Sequence, residues 1–184
     1  TAPISALQYC LGDSITVKDT LFGTFNPNNM FTIQLSDVNG GFTNPMIIAG
    51  YTLNNSDSSF RVALPPGILP GNKYRIRVVS SSPIATYIDN GQDITINALP
   101  VLTKDFLGKD TTLCNAAILT LQAPAGLQYR WQDNSANDQY LVNTAGNYSV
   151  IVSNAFGCFV KDSILVSYNS IPDFTLGNDT SVCT

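Results

Sequence analysis

Histidine and glutamate are both absent from the 184 residues, and all thirteen acidic residues are aspartate. Without histidine there is no Ser-His-Asp or Cys-His nucleophile system and no near-neutral imidazole base. A histidine-containing zinc site is excluded as well. Carboxylate chemistry would rest on aspartate alone, and no spacing pairs two aspartates for glycosidase work. An enzyme is therefore not expected. Charge is scarce too: charged residues make up 12% of the chain, with nine Lys plus Arg and a net charge of −4. Nucleic acid is not an expected partner. No apolar run approaches the roughly 20 residues of a membrane helix, so membrane insertion is not expected. No signal peptide is visible, and the chain reads as part of something longer.

Apolar residues make up 44% of the chain, enough for a real core. The polar positions are filled by Ser, Thr, Asn and Asp, which compete for the backbone and favour turns over helices. This composition predicts an all-β protein. Phe31, Ile33 and Leu35 alternate with Thr32, Gln34 and Ser36, and Tyr74, Ile76 and Val78 alternate with Arg75 and Arg77. Further strands are expected over 15–18, 46–53, 60–64, 85–89 and 93–97, then over 110–114, 118–122, 127–132, 140–143, 147–153 and 159–168. Asn-, Gly- and Pro-rich stretches separate them, because Gly and Asn accept positive φ and Pro removes a ladder donor. Short strands at this spacing mean a sandwich or barrel.

A repeat organises the chain. Leu107-Gly108-Lys109-Asp110-Thr111-Thr112-Leu113-Cys114 recurs as Leu176-Gly177-Asn178-Asp179-Thr180-Ser181-Val182-Cys183. The expected division is a sandwich over 1–99, a second over 100–172, and the first strand of a further repeat over 173–184. Cys114 and Cys158 bracket Trp131, the Cys…Trp…Cys order of an immunoglobulin-like sandwich, which predicts a Cys114–Cys158 disulfide with Trp131 in the core. A disulfide implies an oxidising compartment, extracellular or at the cell surface. Cys10 has no obvious partner in the first hundred residues, and Cys183 is the counterpart of Cys114. Gly71-Asn72-Lys73-Tyr74 and Gly146-Asn147-Tyr148 each place a Tyr at the start of an alternating strand. Both are read as tyrosine corners, with Tyr74 and Tyr148 structural. The fold expected is two tandem Greek-key immunoglobulin-like β-sandwiches.

The first unit resembles the fibronectin-III or immunoglobulin-like repeats of large surface and secreted Bacteroidetes proteins. Its marks are Phe22-Gly23-Thr24-Phe25-Asn26, Phe31–Asp37, Tyr74–Ser81 and Asp89–Ile94. The second is similar to the PKD and immunoglobulin-like repeats of the same proteins, through Leu107–Thr111, Tyr129-Arg130-Trp131, Ala145–Val150 and Gly157-Cys158. The resemblance implies spacers, adhesin stalks, or accessory modules beside an enzyme, a gliding-motility domain or a sorting domain. It does not name a ligand.

Several residues are candidate sites. Asp89, Asn90 and Asp93 surround a Gly turn and could hold calcium, although Asn-Gly is also a hairpin signal. Asp133 and Asp138, in the loop after Trp131, are a second such pair. Arg61, Arg75 and Arg77 hold three of the nine cations and could form one face for an anionic glycan. Ser14, Thr20, Thr111 and Ser163 each follow an Asp, in a pattern that resembles the O-glycosylation acceptor of Bacteroidetes secreted proteins. Phe42, Tyr51, Tyr87 and Tyr140 are the aromatics placed to stack on sugar. The function expected is a non-catalytic extracellular spacer and adhesion-presenting module. Its partners are neighbouring repeats, with a surface glycan, polysaccharide or protein as possible ligand, and the fragment is expected to be monomeric. The alternative is a carbohydrate-binding module beside a secreted polysaccharide-degrading enzyme.

Overall fold

The computed structural model describes residues 4, 6–20, 24–52, 57–114, 117–170 and 177, with side chains for all of these except 19, 20, 57 and 58. Every regular element among them is a strand. The chain divides into two compact units, Thr1–Pro100 with Asn154–Cys158, and Val101–Ser153 with Phe159–Thr184. The short turn Asn154–Cys158 belongs with the first unit, where a division at residue 99 or 100 alone would leave it in the second. Of the expected opening strand over 173–184, all but Gly177 lies outside the described residues.

In chain order, the first unit holds β1 (Gln8–Cys10), β2 (Ser14–Thr20), β3 (Phe31–Leu35), β4 (Met46–Tyr51) and β5 (Asp57–Ala63). It continues with β6 (Gly71–Tyr74), β7 (Ile76–Ser81), β8 (Ile84–Thr86) and β9 (Ile94–Asn97). β2 pairs antiparallel with β5, and a second layer runs β4-β3-β7-β8. β1-β9-β6 continues that layer through the single residue Arg75, which separates β6 from β7. β1 pairs parallel with β9, the last strand, while the other ladders of the unit are antiparallel.

Alternation in the sequence becomes burial in the fold. Phe31, Ile33 and Leu35 of β3 face Ile76 and Val78 of β7, and all are essentially solvent-free. Ile15 and Val17 from β2 and Ile94 and Ile96 from β9 close the same core. Burying each such side chain stabilises by about 1.5–3 kcal/mol relative to leaving it exposed. Phe31 also stacks on Tyr51, and Tyr51 on Phe60, at 5.4 and 3.9 Å between ring centres.

The second unit holds β10 (Thr111–Cys114), β11 (Leu119–Gln122), β12 (Gln128–Trp131), β13 (Gln139–Val142), β14 (Gly146–Ser153) and β15 (Phe159–Asn169). One sheet runs β10-β15-β14-β12 and the other is β11-β13. Its first strand again pairs parallel with its last. Two sheets with the first and last strands parallel, joined by crossovers between layers, make each unit an immunoglobulin-like sandwich. Leu121, Trp131, Val142, Val150, Val152, Ile164 and Val166 fill the core. Trp131 is 2% exposed, donates its indole N–H to the Asn137 carbonyl at 2.8 Å and lies 5.0 Å from the Tyr140 ring.

Both tyrosine hydroxyls reach back to upstream backbone. Tyr74 donates to the Leu69 carbonyl at 2.7 Å, and Tyr148 to the Thr144 carbonyl at 2.9 Å. Burial raises the Tyr74 hydroxyl above its ordinary pKa, with the Asp37 charge adding to the rise.

The cysteines pair differently from the order read in the sequence. Cys158 is bonded to Cys10, across 148 residues, and Cys114 is free and exposed. The reason is strand direction. Cys114 ends β10 opposite Asn169, because β10 runs parallel to β15. Cys158 immediately precedes Phe159, the other end of that eleven-residue strand. At about 3.3 Å per residue the two cysteines sit roughly 35 Å apart. A disulfide needs Cα atoms within about 7 Å, and Cys10 meets that condition at 5.5 Å. The turn carrying Cys158 is held there also by Asn154, whose amide donates to the Ala98 carbonyl at 2.9 Å.

Digestion without reduction should therefore recover the peptides of Cys10 and Cys158 as one cross-linked species, with Cys114 alkylated. A Cys114–Cys158 species in the mass spectrum would overturn this pairing. Trp131→Ala should destabilise the second unit by roughly 3–5 kcal/mol, as large core truncations do. The check is chemical unfolding followed by circular dichroism, and a loss below about 1 kcal/mol would put the indole at the surface.

Candidate functional site

The turn at 89–93 is built around a cation that the chain itself supplies. Asp89 leaves β8 and Asp93 enters β9, so both carboxylates face Arg75, the residue between β6 and β7. The guanidinium makes ion pairs with Asp93 at 2.8 Å and Asp89 at 3.5 Å. The Asp93 hydrogen bond, with the two carboxylate charges, raises the Arg75 pKa. Asn90 is buried, accepts from the Ile76 N–H at 2.9 Å and donates to the Gln92 carbonyl at 2.6 Å. The Asp89 carboxylate also accepts the Gly91 N–H at 2.7 Å. The groups read as calcium ligands are thus engaged as an arginine clamp and a backbone staple. Among the described residues no three His, Cys, Asp or Glu side chains gather as a metal would need.

Arg61 does not share a face with Arg75 and Arg77. Arg61 is on β5, in the β2–β5 sheet opposite Thr16. Arg77 is on β7 in the other layer, bonded to Gln34 at 2.8 Å and lying 4.3 Å over the Phe42 ring. Arg75 and Arg77 alternate with buried Tyr74, Ile76 and Val78 and so share the outward side of their layer; strand order separates only Arg61 from them, which sequence distance could not reveal.

Three aspartates of the Asp-hydroxyl pairs have backbone work. Asp13 accepts the Cys10 N–H at 2.7 Å, Asp110 the Leu165 N–H, and Asp162 both the Leu107 and Ser163 N–H groups, each of these three at 2.8 Å. The bonds from the Cys10 N–H to Asp13 and from the Ser163 N–H to Asp162 are local, whereas Asp110 and Asp162 also reach backbone 55 residues away in sequence. Ser14 and Thr111 are partly buried, Ser163 is exposed, and the Thr20 side chain lies outside the described residues.

The aromatics named for sugar stacking do not align. Tyr51 lies against Phe31 and Phe60, Tyr140 against Trp131, Phe42 under Arg77, and Tyr87 against the first core.

One surface hollow combines charge with hydrogen-bonding groups. Arg130 on β12, Ile151 on β14 and Lys161 on β15 are register partners on the outer face of the second unit's larger sheet. Neighbouring strands lie about 4.8 Å apart, so the two cations stand roughly 10 Å apart across Ile151. Gln132, Asn134 and Ser149 complete a hollow of about 340 Å³. Among the described residues neither cation makes an ion pair. The adjoining Asp133 is held below its usual carboxylate range by Ser135, whose backbone N–H it accepts at 2.9 Å. Desolvation raises the Tyr140 hydroxyl, with Asp133 beside it adding to the effect. Alternation alone marked Arg130 and Lys161 as outward-facing, but only the register brings them across one residue.

The second cysteine site is Cys10 with Cys158, which sequence order did not pair. The place of Cys10 matches that of Cys114 in the other unit: Cys10 ends β1 opposite Asn97, just as Cys114 ends β10 opposite Asn169.

No family model matches the chain, and no curated protein matches it. Among solved structures it is similar to the first two immunoglobulin domains of DIP-gamma, at 12% identity over 91% of this chain and 95% of that one, with a TM-score of 0.33. It is similar to murine CEACAM1b at 13% identity over 92% and 99%, TM-score 0.29. The insect immune protein hemolin aligns at 11% identity over 91% and 53%, TM-score 0.27. At these scores the assignment of both units as immunoglobulin-like rests on their own sheet topology. No described helix is long and apolar enough to cross a membrane.

Asn90→Ala should cost roughly 1–3 kcal/mol, because it leaves the buried Ile76 N–H without an acceptor. Denaturant unfolding of the variant checks this; an unchanged midpoint would mean water replaces the amide.

Proposed function

We propose that the two sandwiches are non-catalytic extracellular repeat modules, a spacer that carries the adhesive parts of a larger surface protein. The observation that carries this reading is the Cys10–Cys158 bond, which closes the chain covalently from the end of β1 to the turn before β15. Such a bond persists in an oxidising compartment and is rarely kept in a reducing one. Short joins and covalent ties suit a module whose task is to hold distance. The recurrence at 176–183 supports reading 173–184 as the opening of a further repeat. Cys114 occupies in its unit the place Cys10 occupies in the first, which supports a tie of the same kind to that repeat. The resemblance to Bacteroidetes surface repeats agrees with this role.

A second reading has an observation of its own. The hollow with Arg130 and Lys161 suits an anionic sugar, whose carboxylate or sulfate would meet both cations while its hydroxyls meet Gln132, Asn134 and Ser149.

Retention on a panel of neutral and anionic polysaccharides, with calcium and with chelator, separates the two. The spacer reading expects no retention in either condition. Retention on anionic polymers alone, falling at least tenfold in Arg130→Ala and lost as salt rises, would replace it with glycan binding.

A further inference from the structure

We propose that the Cys10–Cys158 bond is a mechanical bypass, which removes both sandwiches from the path of tension along the chain and makes their extensibility depend on redox state. The argument needs only covalent connectivity and strand direction. Tension entering before Cys10 and leaving after Cys158 passes through the disulfide. The residues between them, which comprise β2 to β14, form a closed loop that carries none of the load.

Two described strands remain in the loaded path. β1 ends at Cys10 itself, so its load passes directly into the bond. β15 begins one residue after Cys158 and runs to Asn169. Its two ends are pulled in opposite directions along its own axis. A strand already rises about 3.3 Å per residue and has almost no length left to give. Equal and opposite pulls on one strand leave no net force on its ladders to β14 and β10.

Reduction changes the path entirely. Load would then enter the first unit at β1 and leave at β9, and enter the second at β10 and leave at β15. In each unit these are the parallel-paired first and last strands, so opposite pulls shear that ladder lengthwise. The two sandwiches would stand in series and extend one after the other. The chemical step is thiol–disulfide exchange. A dithiol reductant opens the Cys10–Cys158 bond to two thiols and closes its own two sulfurs into a ring disulfide, so two electrons and two protons pass to the protein.

That such tension acts on the protein rests on the spacer reading; the bypass itself does not. Single-molecule pulling tests it, on the whole chain with non-thiol handles at its two ends and Cys114 and Cys183 replaced by Ser. Oxidised molecules should show no unfolding step from residues 11–157. A dithiol, or Cys10→Ser, should add two steps. Together they should lengthen the contour by roughly 500 Å, from the 148-residue separation at about 3.5 Å per residue. Circular dichroism of each form beforehand establishes that it is folded. Equal contour lengths in folded oxidised and reduced molecules would overturn the proposal. So would a folded reduced chain that extends by only one of the two steps. The polysaccharide result has no bearing on either outcome, so the two readings fail separately.

Discussion

A disulfide forms only where the fold brings two Cα atoms within a few ångströms, and here the parallel pairing of first and last strands decides where that happens. β1 lies along β9 and ends at Cys10; β10 lies along β15 and ends at Cys114. Each cysteine is thereby delivered to the far end of its own unit's last strand. Cys158 stands at the near end of β15 and so cannot meet Cys114. Strand direction thus excludes a Cys114–Cys158 bond, and Cys158, in a turn grouped with the first unit, is bonded to Cys10 instead.

The two units use the same means of holding a layered fold together. Alternating apolar residues fill the space between sheets, a tyrosine hydroxyl bonds back to the backbone upstream of it, and aspartate carboxylates accept backbone N–H groups. The Arg75 clamp between Asp89 and Asp93 closes one turn, whereas Arg130 and Lys161 make no ion pair among the described residues. A cationic side chain that has found its carboxylates is a poor ligand group; one that has not is available. That distinction moves attention from the first unit's arginines to the outer sheet face of the second.

Most of the strand pattern was legible because burial on one face imposes a period of two on the sequence. Phe31-Ile33-Leu35, Tyr74-Ile76-Val78 and Tyr148-Val150-Val152 all alternate and all face a core. β1 escaped notice because it is three residues long and half exposed, with too little burial to leave a pattern. The surroundings of the calcium candidates were not legible for a different reason. Asp89, Asn90 and Asp93 have the right oxygen chemistry, but which cation they meet depends on Arg75, fourteen or more residues away and brought in by pairing of β6 with β9.

The sequence alone determined the all-β class, the two-unit organisation, the absence of imidazole chemistry and the residues destined for the cores. Each of these depends on composition or on a local period, which need no knowledge of neighbours. The tertiary structure alone decided which cysteines bond, which arginines are spoken for and which cations face each other across Ile151. Those are relations between segments far apart in the chain, set by strand order and direction, and no local pattern encodes them.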